Sequence, residues 1–362
     1  MNPKDRFLSV FSEDRQELDR VPTFVQGVLG GFIQRNEEHL FDNYEGELTY
    51  NASFDAPIIL GYDSVFASLP GCVGCKPMDI VDENGIKHVV GLNGQAERHG
   101  SNFYAGGLVT NLDMHEELWE GINVTDNRKS LLKAQEFHES VSHLIFPLAK
   151  VGGIFDTAWQ SMGFDVFARH QVKNTSFYRQ VIKDYAWVTK TNVERIIEVL
   201  DDRPAIIAIL DDVAFKGRLM ISPERWQQDI APHYKEITSM IRDAGMHAIM
   251  HSDGDMTDLV PALMDAGFEG LQGWEGGADP RMIVEQYPEF VTIGWGDVGN
   301  ELSFGSKEEI DLHVKFIMDA AKENRHLVIG PSTVIFEKIP FDNAKHFMTS
   351  IKSRGMYGKN KP

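Results

Sequence analysis

Apolar and polar positions in the second half of the chain follow two alternating patterns. Short apolar runs, such as residues 205–210, are followed by longer segments in which apolar residues recur at every third or fourth position. The short runs predict buried strands, and the longer segments predict amphipathic helices. Strands and helices that alternate in this order predict parallel βα units. We therefore predict an α/β protein with a (β/α)8 TIM barrel.

The barrel is predicted to belong to a single domain that spans residues 1–362. Residues 113–362 would form the main barrel, and residues 1–112 would supply an N-terminal extension, the first strand and a small β-arm. No segment rich in proline, serine or charge divides the chain. A barrel of ~250 residues with an extension accounts for the length.

The N-terminal part contains three predicted elements. Residues 1–20 predict a short helix with Asn2 as its N-cap, and residues 21–31 predict a first strand that enters a glycine-rich loop. Within residues 78–112, a turn at 83–85 separates two stretches of alternating apolar residues, which is typical of a β-hairpin.

The middle of the chain predicts two long helices with a strand between them. Apolar residues have helical spacing in residues 126–151 and again in residues 174–202. The glycine-rich segment 152–163 between them predicts the next strand and its loop. This prediction places Trp159 close to the C-terminal end of a strand.

Composition excludes some classes of partner and says less about the fold. The formal net charge of −19 argues against a nucleic-acid partner, because such a partner requires a basic face. No apolar run approaches the ~20 residues that span a membrane. Residues 1–20 carry charges throughout and lack the apolar core of a secretory signal. We therefore expect a cytoplasmic protein that does not contact a membrane.

Polar side chains follow all five C-terminal strands of the predicted barrel. Because the active sites of TIM barrels lie at the C-terminal ends of their strands, we expect these side chains to face one site. In chain order they are Asp211 and Asp212, His251 and Asp253, Glu275, Asp297, and Ser332 and Thr333.

His251 and Asp253 form the sharpest local pattern. A neutral imidazole is a common metal ligand, and a carboxylate two residues further along a strand faces the same cavity. The pair is compatible with a metal site, with metal-free acid–base catalysis and with a structural hydrogen bond. The residues alone leave these three readings open.

The other carboxylates at the strand ends carry weaker signals. Glu275 lies beside Trp274 and between glycines, where partial burial would favour metal binding or acid–base chemistry, although a backbone cap is also compatible. Asp211 and Asp212 are adjacent and therefore point to opposite faces of the strand. We expect one of them to be functional and the other to be structural.

Aromatic and glycine-rich segments add candidate substrate contacts. Trp159, Trp274 and Trp295 are all predicted near strand ends, where they would pack against a planar ligand or against the core. Gln26, in the loop after the first strand, is a further candidate. Residues 294–299 match G-x-G-x-x-G, but the next helix begins several residues later, so the glycines indicate clearance around a pocket and not a dinucleotide site.

Several other reaction classes find no support in the sequence. It contains no G-x-S-x-G, no H-E-x-x-H and no P-loop, the motifs of serine hydrolases, zincins and P-loop kinases. The two cysteines, Cys72 and Cys75, lie in a loop rich in glycine and proline. This position favours an ordinary structural loop over a redox or metal site.

A set of short motifs resembles the uroporphyrinogen decarboxylase superfamily over nearly the whole chain. The resemblance implies a (β/α)8 barrel, and it leaves two branches, the decarboxylases and the corrinoid-dependent methyltransferases. The motifs are Asp19-Arg20-Val21-Pro22, Leu60-Gly61-Tyr62-Asp63, Asp211-Asp212-Val213-Ala214, Ser222-Pro223, His251-Ser252-Asp253-Gly254, the GWE that ends at Glu275, and Ile339-Pro340-Phe341-Asp342-Asn343.

The two branches imply different sites. The decarboxylases use an arginine-rich N-terminal loop, whereas the corresponding loop of this chain contains only Arg35. In the thiol-methylating methyltransferases, a His-x-Cys motif and a distant cysteine hold zinc. His251 matches the first ligand, but Asp253 replaces the first cysteine, and Ser332 or Thr333 stands near the second. The resemblance thus implies a harder zinc site formed by His251, Asp253 and Glu275.

The segment from Asp211 to Glu275 resembles the O-demethylase methyltransferases most. That resemblance implies cleavage of a methyl ether, in particular of a small methoxylated aromatic, and transfer of the methyl group to the cobalt of a separate corrinoid-binding protein. Two alternatives remain: a metal-free decarboxylase, and a non-catalytic barrel that binds a ligand or a corrinoid. The predicted catalytic residues are His251, Glu275 and Asp212; the predicted substrate contacts are Asp211, Asp297, Trp159, Trp274, Trp295 and Gln26.

Overall fold

The structure, a computed structural model, describes residues 1–358 apart from residues 43, 77, 82–84, 86, 95–105, 201–202, 204 and 276. Within these limits, eight strands form one parallel sheet, and three antiparallel pairs lie beside it. The strands are β1 (Phe24–Val25), β2 (Ser64–Ser68), β3 (Val73–Cys75), β4 (Met78–Val81), β5 (Lys87–Val90), β6 (Ile122–Val124), β7 (Phe146–Gly152), β8 (Ile206–Leu210), β9 (Ala214–Phe215), β10 (Arg218–Leu219), β11 (His247–Gly254), β12 (Gly270–Trp274), β13 (Val291–Gly296) and β14 (Leu327–Pro331).

Helices cover the outside of the parallel sheet. They are α1 (Pro3–Ser9), α2 (Gly30–Arg35), α3 (Glu37–Phe41), α4 (Ala52–Leu60), α5 (Leu112–Glu120), α6 (Arg128–Val141), α7 (Phe155–Met162), α8 (Phe164–Lys173), α9 (Thr175–Leu200), α10 (Pro223–Asp229), α11 (Ala231–Asp243), α12 (Val260–Asp265), α13 (Pro280–Gln286), α14 (Glu301–Phe304), α15 (Lys307–Ala321) and α16 (Phe341–Arg354), with short 3₁₀ turns at Glu13–Glu17, Thr257–Leu259 and Lys322–Asn324. None of the described helices combines the length and the apolar character that a membrane crossing requires.

The large sheet curls into the predicted barrel. Its strand order is β1-β2-β7-β8-β11-β12-β13-β14. The first and last strands meet where Thr23 forms a parallel bridge to Ile329, whose N–H donates to the carbonyl of Pro22 at 3.0 Å. Strands such as β8 are apolar at every position because both of their faces are covered. The (β/α)8 prediction is confirmed.

The predicted boundaries in the middle of the chain are wrong. Residues 126–151 are not one helix, because α6 ends at Val141 and β7 begins at Phe146. Pro147 cannot continue a helix interior, but the apolar run around it also fits helical spacing, which conceals the boundary. The segment 152–163, predicted as strand and loop, contains helix α7. Its buried residues Phe155, Ala158 and Met162 have the spacing of a helix face.

The N-terminal segment packs against the N-terminal end of the barrel, opposite the mouth. Asn2 caps α1 by accepting a hydrogen bond from the N–H of Asp5, as predicted. Arg6 of this helix and Arg20 both donate to the buried carboxylate of Asp63, at 2.8 and 2.7 Å. The backbone N–H and hydroxyl of Thr23 also donate to Asp63. The Asp19-Arg20 and Tyr62-Asp63 motifs therefore hold the extension against the barrel.

The predicted β-arm is present as a hairpin. Strands β4 and β5 pair antiparallel, with Met78 opposite Val90 and Val81 opposite Lys87. Residues 83 and 84 of the predicted turn lie outside the described residues.

Candidate active site

Strand β11 carries two functional candidates into the mouth of the barrel. His251 is buried, and its Nε2 atom lies 3.8 Å from Oδ1 of Asp253. The alternation of a strand points residues 251 and 253 toward the same side. Gly273 on the neighbouring strand makes room for them. A Cβ atom there would lie 2.4 Å from the carbonyl of Ser252 and 3.2 Å from Nδ1 of His251.

Asp212 completes a cluster with these two residues. Its Oδ1 atom lies 3.7 Å from Nε2 of His251 and accepts a hydrogen bond from the N–H of Asp253 at 2.9 Å. One ligand atom from each of Asp212, His251 and Asp253 lies within 4.8 Å of the others. We call these three residues the triad.

Two polar residues fix the orientation of the histidine. The hydroxyl of Thr333 donates to Oε1 of Gln26 at 3.1 Å, which turns the amide nitrogen of Gln26 toward Nε2 of His251, also at 3.1 Å. The contact with Gln26 therefore gives Nε2 of the buried imidazole a polar partner, whereas Nδ1 has none among the described residues. Gln26, a predicted substrate contact, therefore also touches the triad.

The triad fits a divalent metal such as zinc. Oδ1 of Asp253 is buried and has no hydrogen-bond partner among the described residues, although it lies 3.8 Å from Nε2 of His251. An unpaired buried carboxylate oxygen is costly unless a ligand or a proton satisfies it. One imidazole nitrogen and two carboxylate oxygens form a donor set that suits zinc.

Glu275 lies next to the triad without belonging to it. Its Oε2 accepts a hydrogen bond from the hydroxyl of Ser332 at 3.2 Å. Burial raises the pKa of the Glu275 carboxyl, and nearby Asp297 adds to the increase. The structure thus groups Asp212 with His251 and Asp253. The predicted role of Glu275 as a metal ligand stays a prediction.

The two adjacent aspartates have separate environments, as expected from their opposite faces. Asp211 is fully buried, and it accepts hydrogen bonds from the hydroxyl of Tyr234 and the N–H of Asp156, both at 2.6 Å. The side chain of Asp212 is 37% exposed. These contacts hold Asp211 in the core behind the more exposed Asp212, and the predicted contact of Asp211 with substrate stays a prediction.

Three further carboxyl groups at the mouth, besides Glu275, have raised pKa values. Burial raises the pKa of Asp253 to about 6, with the charges of Asp212 and Glu275 adding to it and that of His251 opposing it. Burial also raises the pKa of Asp211 to about 6. For Asp156, burial and the charges of Asp212 and Asp211 raise the pKa to about 8. The site therefore disfavours further negative charge.

The three tryptophans that were predicted to contact a planar ligand do not lie together in the structure. Trp274 and Trp295 stack on each other with ring centroids 4.8 Å apart, and both are buried. Trp295 has a φ of +77°, and its Nε1 has no hydrogen-bond partner in the described part of the chain. Trp159 lies on helix α7, and not at a strand end, with its Nε1 donating to the carbonyl of Asp212 at 3.4 Å.

Asp297 stabilises its own turn. Its Oδ1 accepts hydrogen bonds from the N–H groups of Gly299 and Asn300, at 2.7 and 2.9 Å. Its predicted role in orienting a substrate stays a prediction.

The sequence from residue 130 to residue 354 matches the family model described as "Uroporphyrinogen decarboxylase (URO-D)". This range covers more than half of the chain. The chain belongs to the uroporphyrinogen decarboxylase family. The triad, which spans residues 212–253, lies within the matched region.

One solved structure shows the same fold. A methyltransferase from Methanosarcina mazei superposes with a TM-score of 0.65 at 18% identity, covering 98% of this chain and 99% of that one. At this identity the likeness shows the fold alone. A B12-independent methionine synthase from Shewanella sp. W3-18-1 gives a TM-score of only 0.35 at 9% identity, covering 92% of this chain and 96% of that one.

One curated protein matches over a short stretch. The DNA translocase FtsK of Shewanella oneidensis is 26% identical over 121 residues, which are 33% of this chain and 13% of that protein. The chain thus corresponds to a small part of that relative, and nothing about DNA translocation follows for it.

A cavity of about 510 Å³ in this family barrel borders the triad. Gln26 and Phe66 both line it, and both contact His251, Phe66 through a ring contact at 6.2 Å. The wall also contains Lys150, which was missed because the sequence predicts a helix through this residue. Asp156 was missed because the segment 152–163 is predicted as a strand and its loop, whereas Asp156 lies in the first turn of helix α7. A strand boundary at Pro147 would have drawn attention to Lys150.

Proposed function

We propose that this protein transfers a methyl group from a methyl ether, in particular a small methoxylated aromatic, to the cobalt of a separate corrinoid-binding protein. The observation that carries the proposal is the triad of Asp212, His251 and Asp253 at the mouth of a uroporphyrinogen decarboxylase family barrel. A donor set of one nitrogen and two oxygens, without a thiolate, suits polarisation of an ether oxygen better than activation of a thiol.

The chemical problem in this reaction is the leaving oxygen. As the bond between the methyl carbon and the ether oxygen breaks, negative charge develops on that oxygen, and the barrier falls if the site stabilises it. A zinc ion held by the triad would supply a Lewis acid for this oxygen. The protein's own contribution is to orient His251 through Gln26 and Thr333 and to keep the Asp253 oxygen directed into the site.

Glu275 supplies a second source of stabilisation, because it lies beside the triad without belonging to it and burial raises its pKa. A carboxyl group that holds its proton at this position would donate it to a developing phenolate.

The stacked tryptophans and the cavity support an aromatic substrate. Trp274 is the last residue of β12, next to Glu275, and Trp295 lies against it. Phe66 provides a further aromatic wall between the cavity and His251. Aromatic side chains favour planar ligands at such positions.

One observation favours a second function, the metal-free decarboxylation of a small acid. Lys150 places one cation in the cavity, where it would bind a carboxylate. The arginine-rich loop of the decarboxylases has no counterpart here, because the corresponding loop contains only Arg35. The side chain of Arg35 donates to the backbone carbonyl of Glu337. Methyl transfer therefore remains the proposal, and the experiment below separates the two reactions.

The test measures metal content and methyl transfer in the same preparations. Protein purified without a metal-affinity tag is analysed for zinc. It is then mixed with 3-methoxybenzoate and reduced cobalamin, and the free phenol, methylated cobalamin and released carbon dioxide are measured. We expect close to one zinc per chain, and formation of 3-hydroxybenzoate together with methylcobalamin.

Two histidine variants of the same strand provide the comparison. His251→Ala should lose the zinc and at least ~100-fold in rate, as expected when a group that stabilises the transition state is removed. His247→Ala is the matched control, because His247 lies at the other end of β11 and pairs with Glu269. Carbon dioxide release without methyl transfer would establish the decarboxylase instead. Equal methyl transfer by both variants would rule out the triad as the site.

A further inference from the structure

The cavity beside the triad differs in charge from the rest of the protein. The chain contains 54 acidic residues and has a net charge of −19. Among the described residues that line the cavity, however, no aspartate or glutamate occurs, and the titratable ones are His138 and Lys150. Burial lowers the pKa of His138 to about 4, so this imidazole is neutral at pH 7. Lys150 is thus the cation of the cavity wall.

The position of Lys150 follows from the strand register. Lys150 on β7 pairs with Ser68 on β2, two residues after Phe66, whose ring faces His251. Residues two apart on a strand point to the same side, so Lys150 and Phe66 share the barrel interior. On the other side Lys150 pairs with Ala208, two residues before Leu210, which pairs with His251.

The register also gives the distance that a ligand must bridge. Lys150 and His251 are two strands and about two residues apart. At ~3.3 Å per residue and ~4.8 Å per strand, this places their Cα atoms roughly 12 Å apart. That spacing leaves room for a ligand of about one ring between the two side chains.

Lys150 has no charged partner in the part of the chain that the structure describes. No ion pair or hydrogen bond joins its ammonium to another described residue, whereas lysines such as Lys190 and Lys235 pair with acidic side chains. Lys150 is half-buried, and this burial lowers the pKa of its ammonium. A partly buried ammonium without a counter-ion is less favourable than a solvated one, and an anionic ligand removes that penalty.

We infer that Lys150 recognises a carboxylate of the substrate, and that the cavity takes a small carboxylated ligand whose other end points toward the triad. The aromatic side chains of Phe54, Phe66 and Phe137 in the wall favour a ring between these two ends. The cavity volume of about 510 Å³ lies within the range of small-molecule sites. The inference deepens the proposed function, because it names the substrate as a carboxylated methoxyarene and Lys150 as the residue that selects it.

The test compares an acid with its neutral isostere by isothermal titration calorimetry. 3-Methoxybenzoate and 3-methoxybenzamide have nearly the same shape, but only the first carries a charge. We expect the wild-type protein to bind the benzoate at least ~10-fold more tightly, since a charged hydrogen bond contributes about 1.5–3 kcal/mol and ~1.4 kcal/mol is a factor of ten. Equal affinity for the two compounds would overturn the inference, and this comparison needs no variant.

Variants of the lysine then locate the effect. Lys150→Met should weaken benzoate binding about 10- to 100-fold and leave benzamide binding unchanged, while Lys150→Arg retains most of the preference. Lys133→Met is the matched control, because Lys133 lies on helix α6 next to the cavity residue Ala134 but is exposed. If Lys150→Met bound the benzoate as wild type does, the carboxylate would lie elsewhere, for example on a metal at the triad, and the inference would be wrong.

Failure of this inference can be told apart from failure of the proposed function. Binding is measured without a methyl acceptor, so the preference for the acid stands even if no methyl transfer is found. Conversely, suppose that methyl transfer proceeds with 3-methoxybenzamide in the wild type as fast as with the benzoate. The function would then be supported, and the role of Lys150 would be refuted.

Discussion

Buried charge is arranged differently at the two ends of the barrel. At the N-terminal end, the carboxylate of Asp63 receives hydrogen bonds from Arg6, Arg20 and Thr23. At the mouth, Asp212 and Asp253 face His251 at 3.7 and 3.8 Å, and no lysine or arginine pairs with either of them among the described residues.

The pKa values follow the same division. The hydrogen bond from Arg6 holds the pKa of Asp19 well below its usual range, so the N-terminal end stabilises the charged form. Burial raises the pKa of Asp253 at the mouth. The mouth therefore disfavours the charged form of this carboxyl group. Paired charges hold the extension in place, whereas unpaired carboxylates are available to a metal, a proton or a substrate. Four experiments test this difference.

The largest effect on stability is expected at the N-terminal end of the barrel, where the buried carboxylate is paired with arginines. Asp63→Asn leaves two arginines near a neutral amide, and breaking a buried pair in this way costs about 3–5 kcal/mol in the free energy of unfolding. Denaturant titration measures the change. Asp126→Asn serves as control, because the Asp126 side chain is 71% exposed whereas that of Asp63 is 3% exposed. Loss of the exposed pair should change the free energy of unfolding far less than loss of the buried one. Similar losses in both variants would contradict this account of the N-terminal end.

The next effect concerns zinc at the mouth. Asp212→Asn and Asp253→Asn should each weaken zinc binding at least ~100-fold, since loss of a direct ligand exceeds the 10- to 100-fold effect of an outer partner. Competition with a chromogenic chelator measures the affinity. Glu275→Gln should change it by less than ~10-fold, because Glu275 lies outside the triad. The reverse ranking of Asp212 and Glu275 would restore the ligand set expected from the sequence.

A third effect tests the close packing behind His251. Gly273 and Gly277 have φ values of +114° and +111°, so alanine is strained at both. Only Gly273 is crowded, whereas a Cβ at Gly277 meets nothing within 4 Å. Gly273→Ala should therefore lower the free energy of unfolding by about 2 kcal/mol more than Gly277→Ala, as overpacking does. Thermal denaturation of the two variants provides the comparison, and equal losses would show that the contact with Ser252 relaxes easily.

The smallest effect is on the pH dependence of stability in zinc-free protein. The folded pKa of Asp156 is raised to about 8, above the unfolded value of about 3.9. The folded state therefore holds this proton more tightly, and its contribution to stability is lost as the pH rises toward 8. Buried histidines with lowered pKa values, such as His138, are already neutral above about pH 6.5.

We therefore expect the unfolding free energy of the zinc-free protein to fall between pH 6.5 and pH 8. Asp156→Asn should flatten this part of the curve, because the amide does not titrate. Urea denaturation at several pH values gives the measurement. An unchanged slope in the variant would assign the effect to another group.

The sequence by itself was sufficient for the fold and for bringing two residues of the triad together. Local periodicity separates strands from helices, and the polar residues that end successive parallel strands must meet at one end of a barrel. Strand alternation predicts residues 251 and 253 on one side of β11, and Nε2 of His251 lies 3.8 Å from Oδ1 of Asp253 although the pairing with β12 shifts between His251 and Gly254. These are local properties, because they depend on residues within one element.

The wrong secondary-structure prediction in the middle of the chain arose because one apolar pattern fits two kinds of element. The segment 146–152 fits both a helix and a strand, and the choice of a helix concealed the position of Lys150 in the sheet. The tertiary structure resolves it, because β7 is needed between β2 and β8 to complete the sheet. Pairing with distant strands, which periodicity does not report, selects the strand.

Contacts between distant parts of the chain were decided only by closure of the barrel. Gln26 meets His251 across 225 positions of sequence, and Thr333 meets Gln26 across 307. The choice of Asp212 instead of Glu275 as a partner of His251 likewise depends on where neighbouring strands end. Sequence determines which way a side chain points from its own strand, whereas register and closure determine what it meets.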